Sequence, residues 1–139
     1  MELIRENALA RAGMADIGYK PPRAAAGSWT TPSDLARFSI QLVRSLCGEA
    51  GALLVQDPAR EMISLQIGDW GMGVQLAQAG APHDFGHTRA RTGYRTLWLM
   101  FPDACQGVVI MTNGDEGMSL SAEFARALAD HFNLPAPMA

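Results

Sequence analysis

Residues 84–117, DFGHTRARTGYRTLWLMFPDACQGVVIMTNGDEG, contain the pattern that decides the fold of this chain. Two apolar runs, Tyr94–Phe101 and residues 108–112, are rich in β-branched, aromatic and aliphatic side chains. A turn of proline, aspartate and glycine separates them, and apolar runs bounded in this way are typical of paired strands. The stretch therefore predicts an antiparallel hairpin, preceded by a shorter strand that contains His87.

Upstream of this hairpin, the sequence has the periodicity of a helix. Thr31 is a good N-cap residue, because Pro32 follows at the first helical position and Asp34 stands at the third. Apolar residues then recur at spacings of three and four as far as Cys47. This spacing predicts an amphipathic helix with one apolar face.

Two further helices, a loop and a strand are predicted upstream of His87. Helices are predicted over residues 2–12 and 57–65, with a loop over residues 20–26 between the first helix and Thr31. Residues 70–76 alternate, which predicts a strand whose glycines allow the close approach of another backbone. The order of helix, helix, three antiparallel strands and helix predicts an α+β fold, with one antiparallel sheet flanked by helices.

The last helix is predicted to follow the turn that contains Asp115, whose carboxylate is expected to stabilise the helix N-terminus. Ser119 or Ser121 is the predicted cap, and Asn133 is predicted to end the helix. Apolar residues at a spacing of four form a stripe along it: Leu120, Phe124, Leu128 and Phe132.

Composition limits the classes of function. The chain has 139 residues, 48% of them hydrophobic and 18% charged, which is typical of one globular domain. Its net charge of −3 and its scattered arginines give no reason to expect a nucleic-acid partner. No apolar run reaches the roughly 18 residues of a membrane span, so no membrane partner is predicted. Cys47 and Cys105 lack metal-ligand spacing and are predicted to be buried free thiols.

Two ordered sets of residues resemble one enzyme family. His87-Thr88, Gly93-Tyr94-Arg95-Thr96, Phe101-Pro102 and Thr112-Asn113-Gly114-Asp115 resemble, in order and spacing, the last part of the serine β-lactamase and penicillin-binding-protein superfamily. Residues 24–38, AAAGSWTTPSDLARF, resemble a segment found further upstream in the same superfamily. The resemblance spans residues 24–132 and implies that residues 1–139 form a single partial domain, the C-terminal part of a β-lactamase/transpeptidase-like domain.

The resemblance implies a serine hydrolase that attacks an ester or amide carbonyl through an acyl-serine and needs no cofactor. In that superfamily the nucleophile is the serine of a Ser-x-x-Lys motif. This chain has one lysine, Lys20, and Ile17 stands three residues before it. The second motif, Tyr-x-Asn, is absent after both Tyr19 and Tyr94. The chain alone is therefore predicted to be inactive.

The resemblance also implies roles for five consecutive residues. It places His87 at the edge of the active site, with Thr88 beside it in contact with the substrate. Arg89 stands where relatives usually carry glycine, and the backbone N–H of Ala90 matches half of the oxyanion hole. Arg91 joins Arg89 as a candidate anion-binding pair, although two arginines in a loop are more often simply solvated. No metal site is predicted.

Two readings of the function stay open. The first is the C-terminal segment of a serine hydrolase acting on a small ester, amide or peptide. The second is a non-catalytic binding or assembly module, which Arg89 in place of glycine favours. In both readings the last strand, residues 108–112, is expected to be an unprotected sheet edge. The predicted partner is therefore a second copy, giving a homo-oligomer, or a separately encoded N-terminal half.

Overall fold

A computed structural model describes residues 10–15, 18–19, 28–77 and 84–134. The predicted loop over residues 20–26 and most of the predicted helix over residues 2–12 lie outside these residues. None of the helices in the described part combines the length and apolarity that a membrane crossing needs.

The described residues contain six strands, which form two antiparallel sheets. β1 (Gly18–Tyr19) pairs with β2 (Ser28–Trp29) in a two-stranded ribbon. β3 (Gln75–Leu76), β4 (Phe85–Arg91), β5 (Tyr94–Phe101) and β6 (Gln106–Thr112) form the main sheet, in that order. The same part of the chain contains three α-helices: α1 (Pro32–Leu46), α2 (Gln56–Met62) and α3 (Gly117–Phe132). The predicted α+β class with an antiparallel sheet flanked by helices is confirmed, and the predicted strand over Tyr94–Phe101 has the predicted bounds.

The main sheet lies between two helical layers, which explains why five consecutive residues of β5, from Leu97 to Phe101, are all buried. Trp98 and Met100 point to the face covered by α1 and α2, where they pack with Phe85 and Leu42. Leu97, Leu99 and Phe101 point to the opposite face and pack against Ala125 of α3. Successive side chains of a strand point to opposite faces, so a doubly covered strand is apolar throughout.

The predicted start of α1 is confirmed. The Thr31 side chain accepts a hydrogen bond from the backbone N–H of Asp34 (3.2 Å), and Pro32 occupies the first helical position. The Asp34 carboxylate, which is fully buried, accepts a hydrogen bond from Arg37 Nη1 at 2.5 Å. The residues that predict the start of α1 in the sequence therefore also form its N-cap hydrogen bond and the ion pair of its first turn.

The predicted strand over residues 70–76 is wrong except for its last two residues. Gly73 has a φ of +76° and sits in a tight turn, while Trp70 bridges to both Ile67 and Gln75. The alternating pattern in the sequence came from Gly71, which serves close packing, and Gly73, which serves the turn. The expected close approach does occur at Gly71, where a Cβ would lie 2.4 Å from the Met62 carbonyl oxygen.

The helix bounds differ in two places. α2 ends at Met62 rather than near residue 65. α3 begins at Gly117, before either predicted serine cap, and Glu116 caps it without a side-chain hydrogen bond. Gly117 is pressed against Thr112, so that any side chain there would overlap the threonine hydroxyl. Ser121 is buried inside the helix and donates its hydroxyl to the Gly117 carbonyl (2.7 Å).

The two cysteines are free, as predicted, but both are exposed rather than buried. Cys47 follows the last turn of α1, and Cys105 follows the short 3-10 turn Pro102–Ala104 between β5 and β6. Cys105 has a φ of +51°, the left-handed conformation that ends such a turn. Turn geometry therefore places these thiols at the surface, despite the apolar character of cysteine.

Candidate active site

The predicted site residues lie on β4, and the register with β5 fixes which face each one takes. His87 stands opposite Trp98, and Arg89 stands opposite Thr96. His87, Arg89 and Arg91 therefore share the sheet face on which α1 packs, whereas Thr88 and Ala90 share the α3 face. The structure thus divides the five predicted residues between two faces.

His87 is half-buried and held from two sides. Its Nδ1 lies 2.6 Å from the Thr88 carbonyl oxygen, so the tautomer protonated at Nδ1 donates a hydrogen bond there. Trp70 contacts the ring edge-on, with 5.2 Å between ring centroids. In the neutral ring this tautomer leaves Nε2 as an acceptor, the state in which histidine takes up a proton or a hydrogen bond.

A second aromatic contact joins the two sequence segments that carry the family resemblance. Trp29, which ends β2, packs edge-on against Tyr94 at the start of β5, with ring centroids 5.3 Å apart. Both residues are partly exposed, Trp29 at 40% and Tyr94 at 50%. Tyr94 pairs with Arg91 and therefore lies on the same sheet face as His87. Trp29, beside Tyr94, and Trp70, beside His87, thus flank one open region of that face.

Asp115 makes contacts that the sequence did not predict. Its Oδ1 accepts a hydrogen bond from the backbone N–H of Gly93 (2.9 Å) and lies 3.1 Å from Arg95 Nη2. Arg95 also donates to the carbonyls of Tyr94 and Arg91. One carboxylate therefore ties the β4–β5 turn to the end of β6, and it joins two motifs that stand 22 residues apart.

The outer edge of β4 is open beside the predicted site. β3 pairs only with Phe85 and Gly86, so among the described residues no strand covers residues 87–91 on that side. Arg89 and Arg91 are exposed there, as are Thr88 and Ala90. Gly86 fits against β5 only because it lacks a side chain: a Cβ would lie 2.0 Å from the Trp98 carbonyl oxygen.

Sequence reasoning did not predict the contacts that Trp70, Trp29 and Asp115 make in this region. No signal in the sequence links Trp70 to His87, because the contact depends on the turn over residues 67–75. In the described ranges no group of three His, Cys, Asp or Glu side chains is arranged to hold a metal ion. His83 lies outside those ranges.

The main sheet and its helices have the fold of part of a β-lactamase-like domain. The Beta-lactamase family matches residues 2–131, and the chain therefore belongs to this family of serine hydrolases. No curated protein matches the chain.

Solved structures agree with this fold. SurE, crystallised with D-Leu, has a TM-score of 0.70 and 19% identity over 99% of this chain and 41% of its own. A penicillin-binding protein from Bacillus halodurans has a TM-score of 0.62 and 18% identity over 88% of this chain and 48% of its own. A further SurE structure has a TM-score of 0.64 and 21% identity over 83% of this chain and 30% of its own. The chain thus spans less than half the length of each.

Proposed function

We propose that this chain supplies the substrate-facing β4 edge of a serine hydrolase and is inactive by itself. The observation that carries the proposal is the open stretch of β4 from His87 to Arg91, beside a histidine held by Trp70 and by the Thr88 carbonyl. An extended ester, amide or peptide suits a strand edge of this kind, because its backbone can form hydrogen bonds with N–H and C=O groups that such an edge presents.

The roles proposed for the individual residues follow from this position. His87 orients the substrate or exchanges a proton with it through Nε2. The Ala90 N–H contributes to an oxyanion hole whose other half comes with the nucleophile. The nucleophilic serine and its lysine belong to a Ser-x-x-Lys motif that this chain lacks, so they must come from another polypeptide segment.

Arg89 supports a second candidate function, a non-catalytic binding or assembly module. The family resemblance places Arg89 where glycine is usual, and here an exposed arginine stands on the same face as His87. A long cationic side chain narrows the space that a substrate backbone needs, and it offers charge-assisted hydrogen bonds to an anionic group. Under this reading the β4 edge holds a partner rather than a substrate.

The test is turnover and serine labelling of the purified chain. We expect no hydrolysis of a chromogenic ester or cephalosporin, and no labelling by a fluorescent serine-reactive probe. Stoichiometric labelling of one serine would contradict the proposal. Co-expression with a family segment that carries Ser-x-x-Lys and Tyr-x-Asn tests whether turnover can be produced. If it is, His87→Ala should abolish the turnover. His131→Ala, at an exposed position of α3, is the control and should not. Equal turnover in the two variants would favour the binding module.

A further inference from the structure

The ring of His87 makes a hydrogen bond that fixes the position of its proton. Nδ1 lies 2.6 Å from the Thr88 carbonyl oxygen, and a carbonyl oxygen only accepts, so Nδ1 carries the proton in this contact. In the neutral ring Nε2 is then the acceptor, since the bond made by one nitrogen determines the state of the other. The contact lies at an exposed position, where water competes for both groups. By itself it does not hold the ring in one orientation.

Trp70 supplies a second restraint on this ring. The two ring centroids lie 5.2 Å apart with an interplanar angle of 66°, the edge-on geometry that aromatic pairs favour. The torsion about the Cβ–Cγ bond of histidine has a broad, roughly two-fold profile, so the plane of a ring without neighbours is poorly defined. Contact with Trp70 restricts that plane, and within it only one of the two half-turn orientations brings Nδ1 to the Thr88 carbonyl. The two contacts together therefore define one orientation and one tautomer.

The backbone that carries Trp70 is itself held in place. Its N–H donates to the Ile67 carbonyl (2.9 Å), and its own carbonyl accepts from the N–H groups of Gln66 (2.8 Å) and Ile67 (3.2 Å). The next residue, Gly71, lies so close to the Met62 carbonyl that a Cβ would come within 2.4 Å of the oxygen. The turn thus fixes the position from which the indole ring extends.

The pairing of this turn with β3 explains why Trp70 meets a residue 17 positions away. Trp70 bridges to Gln75, and Gln75 pairs with Gly86, the residue before His87. Gln75 Nε2 also donates to Asp69 Oδ2 (2.7 Å), which joins the turn to β3 through side chains. The turn therefore stands across β3 from the start of β4, and its tryptophan reaches the ring of His87.

Trp70 has no comparable role in the core. It is only partly buried, and within the described part of the chain the apolar clusters on both faces of the main sheet form without it. We propose that Trp70 is a positioning residue for His87, whose imidazole plane it fixes, so that the proton stays on Nδ1 and Nε2 stays the acceptor. The catalytic consequence rests on the function proposed above: a single tautomer presents the same nitrogen to every substrate.

The tautomer of His87 tests this proposal in the purified full chain, without any turnover. Long-range proton–nitrogen correlation spectra, recorded above the pH range in which histidine titrates, distinguish protonated from unprotonated ring nitrogens. His87→Gln identifies the signals of this ring among the three histidines. We expect Nδ1 to be protonated in the wild-type chain. In Trp70→Leu the shifts of the two nitrogens should move toward each other, because the ring then exchanges between both tautomers. Trp70→Phe, which keeps an aromatic edge, should retain most of the wild-type separation.

Two further variants complete the test. Trp29→Leu is the matched control, since Trp29 flanks the same open region but contacts Tyr94, and it should leave both shifts unchanged. Asp69→Ala, at an exposed position, loosens the turn without removing the ring and should act in the same direction as Trp70→Leu, by less. It keeps the proposal testable if Trp70→Leu does not fold. A mixture of tautomers in the wild-type chain, or shifts that neither Trp70→Leu nor Asp69→Ala alters, would overturn the proposal. An inactive assembled enzyme would contradict the proposed function and leave this result unchanged.

Discussion

The β4 edge and the β6 edge lie in the same sheet, with β5 between them, but their chemistry is opposite. On β4, the uncovered stretch carries His87, Arg89 and Arg91, and its last four residues are exposed. On β6, the seven residues carry no charge, and five of them are half-buried. Charge keeps an edge soluble while leaving its backbone groups available, whereas an apolar edge requires a cover. The comparison separates a charged edge, which we propose faces a ligand, from an apolar edge.

Substituting Gly86 should have the largest effect, because this residue holds β4 against β5. Gly86→Val should destabilise the fold by about 3 kcal/mol, since the new side chain would overlap the Trp98 backbone. Thermal unfolding measures the loss. Gly114→Ala is the control: a Cβ there meets no atom within 4 Å, and its change should stay within about 0.5 kcal/mol. Equal losses would show that β4 does not pack against β5 as described.

Loss of the carboxylate that joins the ends of the two edges should have the next largest effect. Asp115→Ala removes the acceptor of the Gly93 N–H and the ion-pair partner of Arg95, and should lower the free energy of unfolding by about 1.5 kcal/mol. Urea denaturation provides the measurement. Asp130→Ala, on the exposed side of α3, should change stability by less than about 0.5 kcal/mol. A larger loss at Asp130 than at Asp115 would contradict the assigned tie.

The helix that covers the β6 side depends on its cap. Thr31→Ala removes the acceptor for the Asp34 N–H and should cost about 1 kcal/mol. Ser33→Ala, one residue after Pro32 and exposed, is the matched control and should be close to neutral. Thermal melts of the two variants decide between a cap at Thr31 and one at Ser33.

The smallest effect is expected at the charged edge itself. Arg89→Gly should change the free energy of unfolding by less than about 1 kcal/mol, because the side chain is exposed and the remaining cost is the flexibility of glycine in a strand. Val109→Gly should cost more, since Val109 packs against the buried cluster of Trp98 and Met100. If Arg89→Gly proved the more damaging of the two, Arg89 would be a structural residue and its alignment with the family glycine would be wrong.

Sequence reasoning was accurate where short-range chemistry decides the structure. The alternation and turn residues around Tyr94–Phe101 predicted β5 to the residue, and Thr31 with Pro32 predicted the start of α1. It failed over residues 70–76, because glycines kept for a turn and for close packing imitated the alternation of a strand. It also misplaced the start of α3, which the packing of Gly117 on Thr112 determines.

For the site, the resemblance supplied the position of His87 but not its surroundings. The contacts of Trp70 with His87 and of Asp115 with Gly93 join residues 17 and 22 positions apart. Such contacts follow from tertiary packing, so no local pattern in the sequence announces them. The division of Arg89 and Ala90 between two sheet faces, in contrast, follows directly from strand alternation.

The tie made by Asp115 has a consequence for the order of folding. β4, β5 and β6 are consecutive in the chain and pair through short turns, so the loops that must close between them are small. Contacts of low sequence separation form early, and Asp115 locks the open end of this three-stranded meander as soon as β6 has paired. Pulsed hydrogen exchange during refolding should therefore protect the paired amides of β4, β5 and β6 in one phase, because all of their pairings have low sequence separation.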